Sequence, residues 1–391
     1  MVWLTKRVRR TFGLVAATSA ALVLTACGQD DSGGADSAKG DSATGKAGKA
    51  GSREERYKRV IEDPHPRPAE VIWAAGAPTG VARANDGSLL LTYDAGNVED
   101  DEGPAASAWR VVDPRGRTVA EHAEHTDAEA VRPQFKGVRG GFVSVPAAEG
   151  TDGVYGIGVH GERHKVTTTE TALGSRPGDI LVAELEPALI YRPATRTAAP
   201  PAGVPDDARH LAVDERGTTW ILDQPLTAEH DTVVRQREGR TLGSTPVPKQ
   251  YQGGKLTARG GTAALALLQE ESVRGLLVTT DGGAHWTTLT GGGVPWQDLK
   301  RGPEFLVLQA LSDGRLIVGE EGGRQWIADD RTNRTFHALK TPKDFTSFAV
   351  HGTALYGIVD TTTATYDLAD GEGLWTSRDA GRTWQRYEQR G

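Results

Sequence analysis

Short apolar runs, closed off by Gly, Asp, Asn or Pro, repeat through the chain from residue 70 to residue 376. Runs of this length, alternating or continuous, read as β-strands, and the Gly and Asp clusters between them read as turns. The first group holds residues 70–73, 89–93 (after the turn Asn85-Asp86-Gly87) and 109–112; the second holds 141–145 and 153–159. A third, less regular group has 180–185, 188–191 and a Pro-rich loop over 198–205. The fourth runs through 210–222 and 232–235, and the fifth through 262–268 and 276–279. The sixth places 305–310 and 316–318 on either side of Ser312-Asp313-Gly314, and the last contains 348–350, 355–359 and 373–376. Residues 263–269 fit a helix as well by pattern. The bracketing Gly260, Gly261 and Gly275 decide for a strand.

Two turns carry the same wider pattern, Ser/Thr-x-Asp-x-Gly-x-x-Trp: Thr279, Asp281, Gly283 and Trp286, then Ser377, Asp379, Gly381 and Trp384. A short Asp side chain accepts backbone N–H groups inside a tight turn, and Gly supplies a position where φ is positive. Trp then falls on the returning strand, where it can seal a blade edge. Asp281 and Asp379 stand 98 residues apart, two steps of a blade-sized period. The pattern resembles the Asp-box, or BNR repeat, of sialidase-like β-propellers. Glu321 to Trp326 reads as a decayed third copy and Asp214 to Trp220 as a fainter echo. In that family the boxes are structural and lie away from the ligand face. The resemblance implies an all-β fold, a β-propeller of about seven four-stranded blades. The roughly 325 residues after Pro66 allow six to eight. Val71-Ile72-Trp73 is then expected to be a strand that completes the last blade and closes the ring.

Ahead of the strands, residues 1–26 read as a secretory signal: Lys6, Arg7, Arg9 and Arg10 form a basic head and residues 11–26 an apolar body. That body is too short for a permanent span, which takes ~20 apolar residues, and no later run approaches that length. Leu24-Thr25-Ala26-Cys27 resembles a bacterial lipobox, which implies cleavage before Cys27 and lipid on that residue. Cys27 is the single cysteine, so no internal disulfide forms and the domain is stable by packing alone. Residues 27–65 read as the lipidated Cys and a tether, with Gly, Ala, Ser, Asp and Lys dominating to about Ser52. Arg53 to Arg59 then has the paired charges of one or two helical turns. The propeller domain is expected over 66–391.

With 45 basic and 52 acidic residues the chain carries −7, and losing the four cations of the head takes the remainder to −11. So acidic a chain lacks the basic footprint of a nucleic-acid binder. It is also repelled by anionic headgroups, so lipid on Cys27, not charge, is expected to hold it at the outer face of the membrane. The many Gly and Pro residues suit short strands and turns, and the Arg, Ala and Gly content with one Met resembles translation from a GC-rich genome.

Catalytic chemistry is not marked. Sialidases of the resembling fold carry Arg-Ile/Leu-Pro, three substrate-binding arginines, a Tyr/Glu nucleophile pair and an Asp acid. Here Arg67, Arg132, Arg176 and Arg192 precede Pro directly, and none gives that motif. A glycosidase carboxylate pair is not distinguishable among 52 acids. His160, Glu162 and His164 would share a strand face, but a hairpin turn through His160-Gly161-Glu162 breaks the alternation; His122, Glu124 and His125 read as a solvated loop. Glu99-Asp100-Asp101-Glu102 has calcium-type ligands and reads more simply as a solvated loop. Gly291-Gly292-Gly293 lacks the Lys-Ser/Thr of a phosphate loop, and no Gly-x-Ser-x-Gly elbow occurs. The reading is a monomeric, lipid-anchored propeller that uses no metal or cofactor and binds protein or carbohydrate. Residues 97–108, 171–178 and 198–207 are expected to line its ligand face. A sialidase-like glycoside hydrolase is the alternative, and an assembly factor for membrane complexes is a third.

Overall fold

The computed structural model describes residues 53–96, 103–127, 134–145, 154–183, 188–205, 207–225, 229–294, 296–299, 302, 305–359 and 373–387. Two helices, α1 (Arg53–Glu62) and α2 (Pro68–Ala75), precede seven four-stranded sheets. Sheet one is β1 (Gly80–Arg83), β2 (Leu89–Gly96), β3 (Pro104–Val112) and β4 (Thr118–Asp127). Sheet two is β5 (Gln134–Val138), β6 (Gly141–Val145), β7 (Tyr155–Gly158) and β8 (Arg163–Lys165). Sheet three uses β9 (Thr167–Thr168), β10 (Ile180–Ala183), β11 (Leu189–Arg192) and β12 (Thr197–Ala199). Sheet four is β13 (Ala208–Val213), β14 (Thr218–Asp223), β15 (Thr232–Arg237) and β16 (Arg240–Pro246). Sheet five is β17 (Gln252–Arg259), β18 (Thr262–Gln269), β19 (Ser272–Thr279) and β20 (Thr287–Leu289). Sheet six is β21 (Leu306–Ala310), β22 (Leu316–Glu320), β23 (Gln325–Ala328) and β24 (Phe336–Ala338), and sheet seven β25 (Ser347–His351), β26 (Ala354–Val359), β27 (Gly373–Ser377) and β28 (Gln385–Arg386).

These sheets are the blades of a β-propeller. Neighbouring blades meet along their inner strands, and β25 returns against β1 to close the ring. The apolar residues form seven clusters, one at each junction between blades. The core is therefore a circle of wedges in which each sheet buries its faces only against its neighbours, so a single blade has no core of its own.

One turn recurs. Ala84–Ser88, Asp113–Arg117, Gly158–Glu162, Asp214–Thr218 and Leu311–Arg315 each bond the first N–H to the fifth carbonyl and the fourth N–H to the first carbonyl. The fourth residue is always Gly, with φ between 74° and 96°. This is the three-residue hairpin with a left-handed Gly closing a bulge, where a side chain would be strained. Gly137 has a different reason: a Cβ there would stand 1.7 Å from the Arg83 carbonyl oxygen, so only Gly lets β5 approach β1.

Four expectations need correction. Val71-Ile72-Trp73 is not a strand but lies in α2, because Pro68 stands at the helix start and Gly76, at φ 73°, donates its N–H to the Ile72 carbonyl. The last blade is built from β25 to β28 without a strand from the start of the chain. The seam where β25 meets β1 is covered instead by α1 and α2, whose Val60, Ile61 and Val71 are buried with Leu91, Tyr93, Tyr356 and Ile358 at the junction of blades seven and one. Glu321 to Trp326 and Asp214 to Trp220 are not copies of the Asp turns. They link second to third and first to second strands, whereas the turns at 279–286 and 377–384 link third to fourth. His122, Glu124 and His125 lie in β4, paired with β3, with the His122 ring 5.5 Å from that of Trp109.

The third blade is irregular for a topological reason. Its outer strand, β9, follows β8 after one residue and runs parallel to β12, whereas the outer strands of the other six blades are antiparallel to their neighbours. The segment leading into β10 is consequently carried against blade four: Ser175 Oγ donates to the Gly217 carbonyl at 2.9 Å, and the Glu238 N–H donates to the Ser175 carbonyl. Among the described residues no helix is long and apolar enough to cross a membrane.

Candidate binding channel

The two Asp turns have matching hydrogen bonds. Thr279 Oγ1 donates to Asp281 Oδ1 (2.9 Å) and accepts the Gly283 N–H, while the His285 N–H donates to Asp281 Oδ1 (3.0 Å). Ser377 Oγ donates to Asp379 Oδ1 (2.8 Å) and accepts the Gly381 N–H, while the Thr383 N–H and Oγ1 donate to Asp379 at 2.9 and 2.7 Å. Gly283 and Gly381 sit at φ 83° and 84°. The tryptophans work between blades: Trp286 meets Trp220 of blade four edge-on at 5.8 Å, and Trp384 packs on Phe345 at 4.9 Å. These are the contacts of structural turns, with every carboxylate oxygen facing the turn's own donors.

The Asp379 carboxyl is held down to about 2, first by the Thr383 hydroxyl and N–H and then by the Ser377 hydroxyl. A depressed carboxyl contributes stability that is present above the unfolded value of ~3.9 and is lost as pH falls through the folded one. Asp379→Asn is therefore expected to flatten the decline in Tm between pH 4 and about 2. Parallel Tm curves for the two proteins would show that the carboxylate adds nothing there.

The larger concave feature is the central channel, about 1260 Å³, lined by residues from all seven blades. Side chains brace it from one inner strand to the next. Lys136 Nζ donates to the Leu181 carbonyl (2.9 Å), Lys255 Nζ to the Leu306 carbonyl (2.8 Å) and Gln309 Nε2 to the Phe348 carbonyl (3.4 Å). Its described lining holds seven Lys and Arg against five Asp and Glu, a positive interior in a chain of net charge −7. Two of the cations are tied to acids: Arg192 to Asp179 at 2.7 Å and Arg259 to Glu215 at 2.6 Å.

One end of the channel is the face of the first-to-second-strand turns. Here Arg83, Arg259 and His351, the last residues of β1, β17 and β25, stand with Tyr356. Burial pushes the His351 imidazole down to about 4, helped by the Arg83 and Arg259 guanidiniums and opposed by Glu215, so it is neutral at pH 7. Burial raises the Tyr356 hydroxyl, against the influence of Arg83. No local sequence signal marks these residues, because they come from three blades. Their shared cue is a polar residue ending an apolar run just ahead of a glycine turn.

Of the loops expected to line a ligand face, 171–178 brings Arg176, Pro177 and Gly178 to the channel. Residues 104–108 belong to β3 and 198–199 to β12, while 97–102 lie outside the described residues. His160, Gly161 and Glu162 form a hairpin turn ahead of β8. His164 is lowered by burial and then by Arg196. Among the described residues no group of three or more His, Cys, Asp or Glu is placed to hold a metal ion. Cys27, the segment around it and Glu99 to Glu102 lie outside the described residues.

No protein-family model and no curated protein matches the chain. Several solved structures are similar in fold. The β-propeller domain of the Trilobed protease from Pyrococcus furiosus is 10% identical over 80% of this chain and 95% of that one, with a TM-score of 0.48. A puromycin-hydrolysing peptidase from Mycobacterium tuberculosis is 13% identical over 83% of this chain and 55% of that one (TM-score 0.45). BamB from Moraxella catarrhalis is 11% identical over 71% and 81% (TM-score 0.37). The chain thus spans about half the length of the peptidase it matches. What the chain shares with them is the propeller fold.

Proposed function

We propose that this chain is an extracytoplasmic lipoprotein, held on the outer face of the cell membrane by lipid on Cys27, whose propeller binds a protein or carbohydrate ligand without turning it over. The observation that carries the binding reading is the central channel, a braced, open concavity with a positive lining in an acidic chain. The Asp turns support a structural kinship with sialidase-like propellers, but their carboxylates are used up inside the hairpins. The anchor reading rests on Leu24-Thr25-Ala26-Cys27 after a basic head and an apolar body.

Two measurements test the two halves. Cells fed an alkyne-tagged fatty acid are expected to label the parent protein and to leave Cys27→Ser unlabelled and released from the membrane fraction. Equal labelling would remove the anchor. The full chain is expected to release no product from a panel of chromogenic glycosides that includes a sialoside, while capturing a defined partner from envelope extracts through the channel. Turnover lost on substituting channel acids would replace the binding reading with a hydrolase.

A further inference from the structure

We propose that the channel mouth on the first-turn face is an oxyanion site: it takes the carboxylate or phosphate of an acidic ligand between Arg83 and Arg259, with His351 and Tyr356 beside it. The proposal rests on the binding function above and names the chemistry that the channel recognises.

Position is the first support. Arg83, Arg259 and His351 pair with Leu89, Thr262 and Ala354, the opening residues of the second strands of blades one, five and seven. The same position in blade six, between Arg259 and His351, is Ala310, which pairs with Leu316. Four consecutive blades therefore present, at one level of the channel, two guanidiniums and an imidazole around a wall that is only a methyl group. All four residues line the same cavity.

Unspent donors are the second. Arg259 uses only its Nε on Glu215 Oε1, 2.6 Å away; among the described residues its two terminal nitrogens, the fork, make no hydrogen bond. Glu215 is itself shared, accepting the Gly260 N–H at 2.9 Å with its other oxygen. Among the described residues no carboxylate forms an ion pair with Arg83, whose guanidinium acts on the Tyr356 hydroxyl. Planar guanidiniums with free N–H edges match carboxylate and phosphate oxygens bidentately. His351 stays neutral beside them, since burial and both guanidiniums disfavour its charge. It adds a neutral hydrogen-bonding group without repelling the two cations further.

Charge is the third. An acidic protein disfavours anions at long range, so a locally positive mouth confines their binding to one place. The groups facing His351 are Arg83, Arg259, Glu215 and Tyr356, and an anion seated between the arginines would weaken their hold on the imidazole.

The test follows the ring protons of the ten histidines in the full chain in detergent, with His351 assigned by His351→Gln. Inorganic phosphate, or acetate, replaces chloride at constant ionic strength. Either anion is expected to raise the His351 titration by about one unit. Arg83→Gln and Arg259→Gln are each expected to weaken the response roughly tenfold or more. Arg83→Lys, which keeps the charge but loses the fork, should fall between them and the parent. Arg324→Gln, at a turn on the opposite face, should respond as the parent does. A response to phosphate alone assigns a phosphorylated ligand, and one to acetate alone a carboxylate. No movement of His351, or equal movement in the Arg83 and Arg259 variants, overturns the site. That failure would leave partner capture untouched. Failed capture with intact anion binding would instead remove the macromolecular ligand.

Discussion

Val71→Asp is expected to lower stability by about 4 kcal/mol or more, because it places a carboxylate with no partner in an apolar wedge. Val71 is fully buried at the junction of blades one and seven, packed with residues from β2, β26 and β27. Among the described residues this junction differs from the other six in having two α-helices across it. No strand is shared between the first and last blades, so side-chain packing must hold the ring shut. An unpaired charge there strikes the one seam at which loss of packing lets the ring open. At ~2 cal/mol/K per residue, a unit spanning residues 51–391 would lose about 6 °C in Tm. Val71→Leu, which stays apolar, should cost far less. The location is read by hydrogen exchange: protection in β1 and β25 should fall before protection in β13 and β14. Uniform loss around the ring would show that the helices decorate the seam without closing it.

That clasp also shows what a sequence of this kind discloses. Strands were legible because they are short apolar runs, several of them ended by a left-handed Gly, and the interval between Asp281 and Asp379 matched two blades. Pro68 and Gly76 mark the ends of α2 just as plainly. What misled was the β-branched pair Val71-Ile72, whose burial is decided by docking on blade one and not by local pattern. The exchange of β9 into the third blade was hidden because a two-residue strand leaves no periodicity. The mouth was hidden for a related reason. Arg83, Arg259 and His351 each look like ordinary turn-flanking polar residues until ring closure brings blade seven against blade one.

The third blade supplies the other large expected effect. Asp179 is 3% exposed, and its carboxylate accepts Arg192 Nε (3.0 Å), Arg192 Nη2 (2.7 Å) and the Arg176 N–H (2.9 Å). Arg192 Nη2 also donates to the Gly174 carbonyl at 2.8 Å, so the pair joins the end of β11 to the segment that leads into β10. Asp179→Ala leaves a mostly buried guanidinium without its counter-charge, and breaking such a pair costs about 3–5 kcal/mol. For a unit of this size the expected loss in Tm is about 4–7 °C. The pair itself need not be strongly stabilising, since removing both charges removes the desolvation cost as well. Asp179→Ala combined with Arg192→Met is therefore expected to recover more than half of the loss. A double variant no more stable than Asp179→Ala would mean that the loss comes from the freed Arg176 N–H and the slackened turn. The ion pair would then be incidental to how this blade, with its borrowed outer strand, is held in the ring.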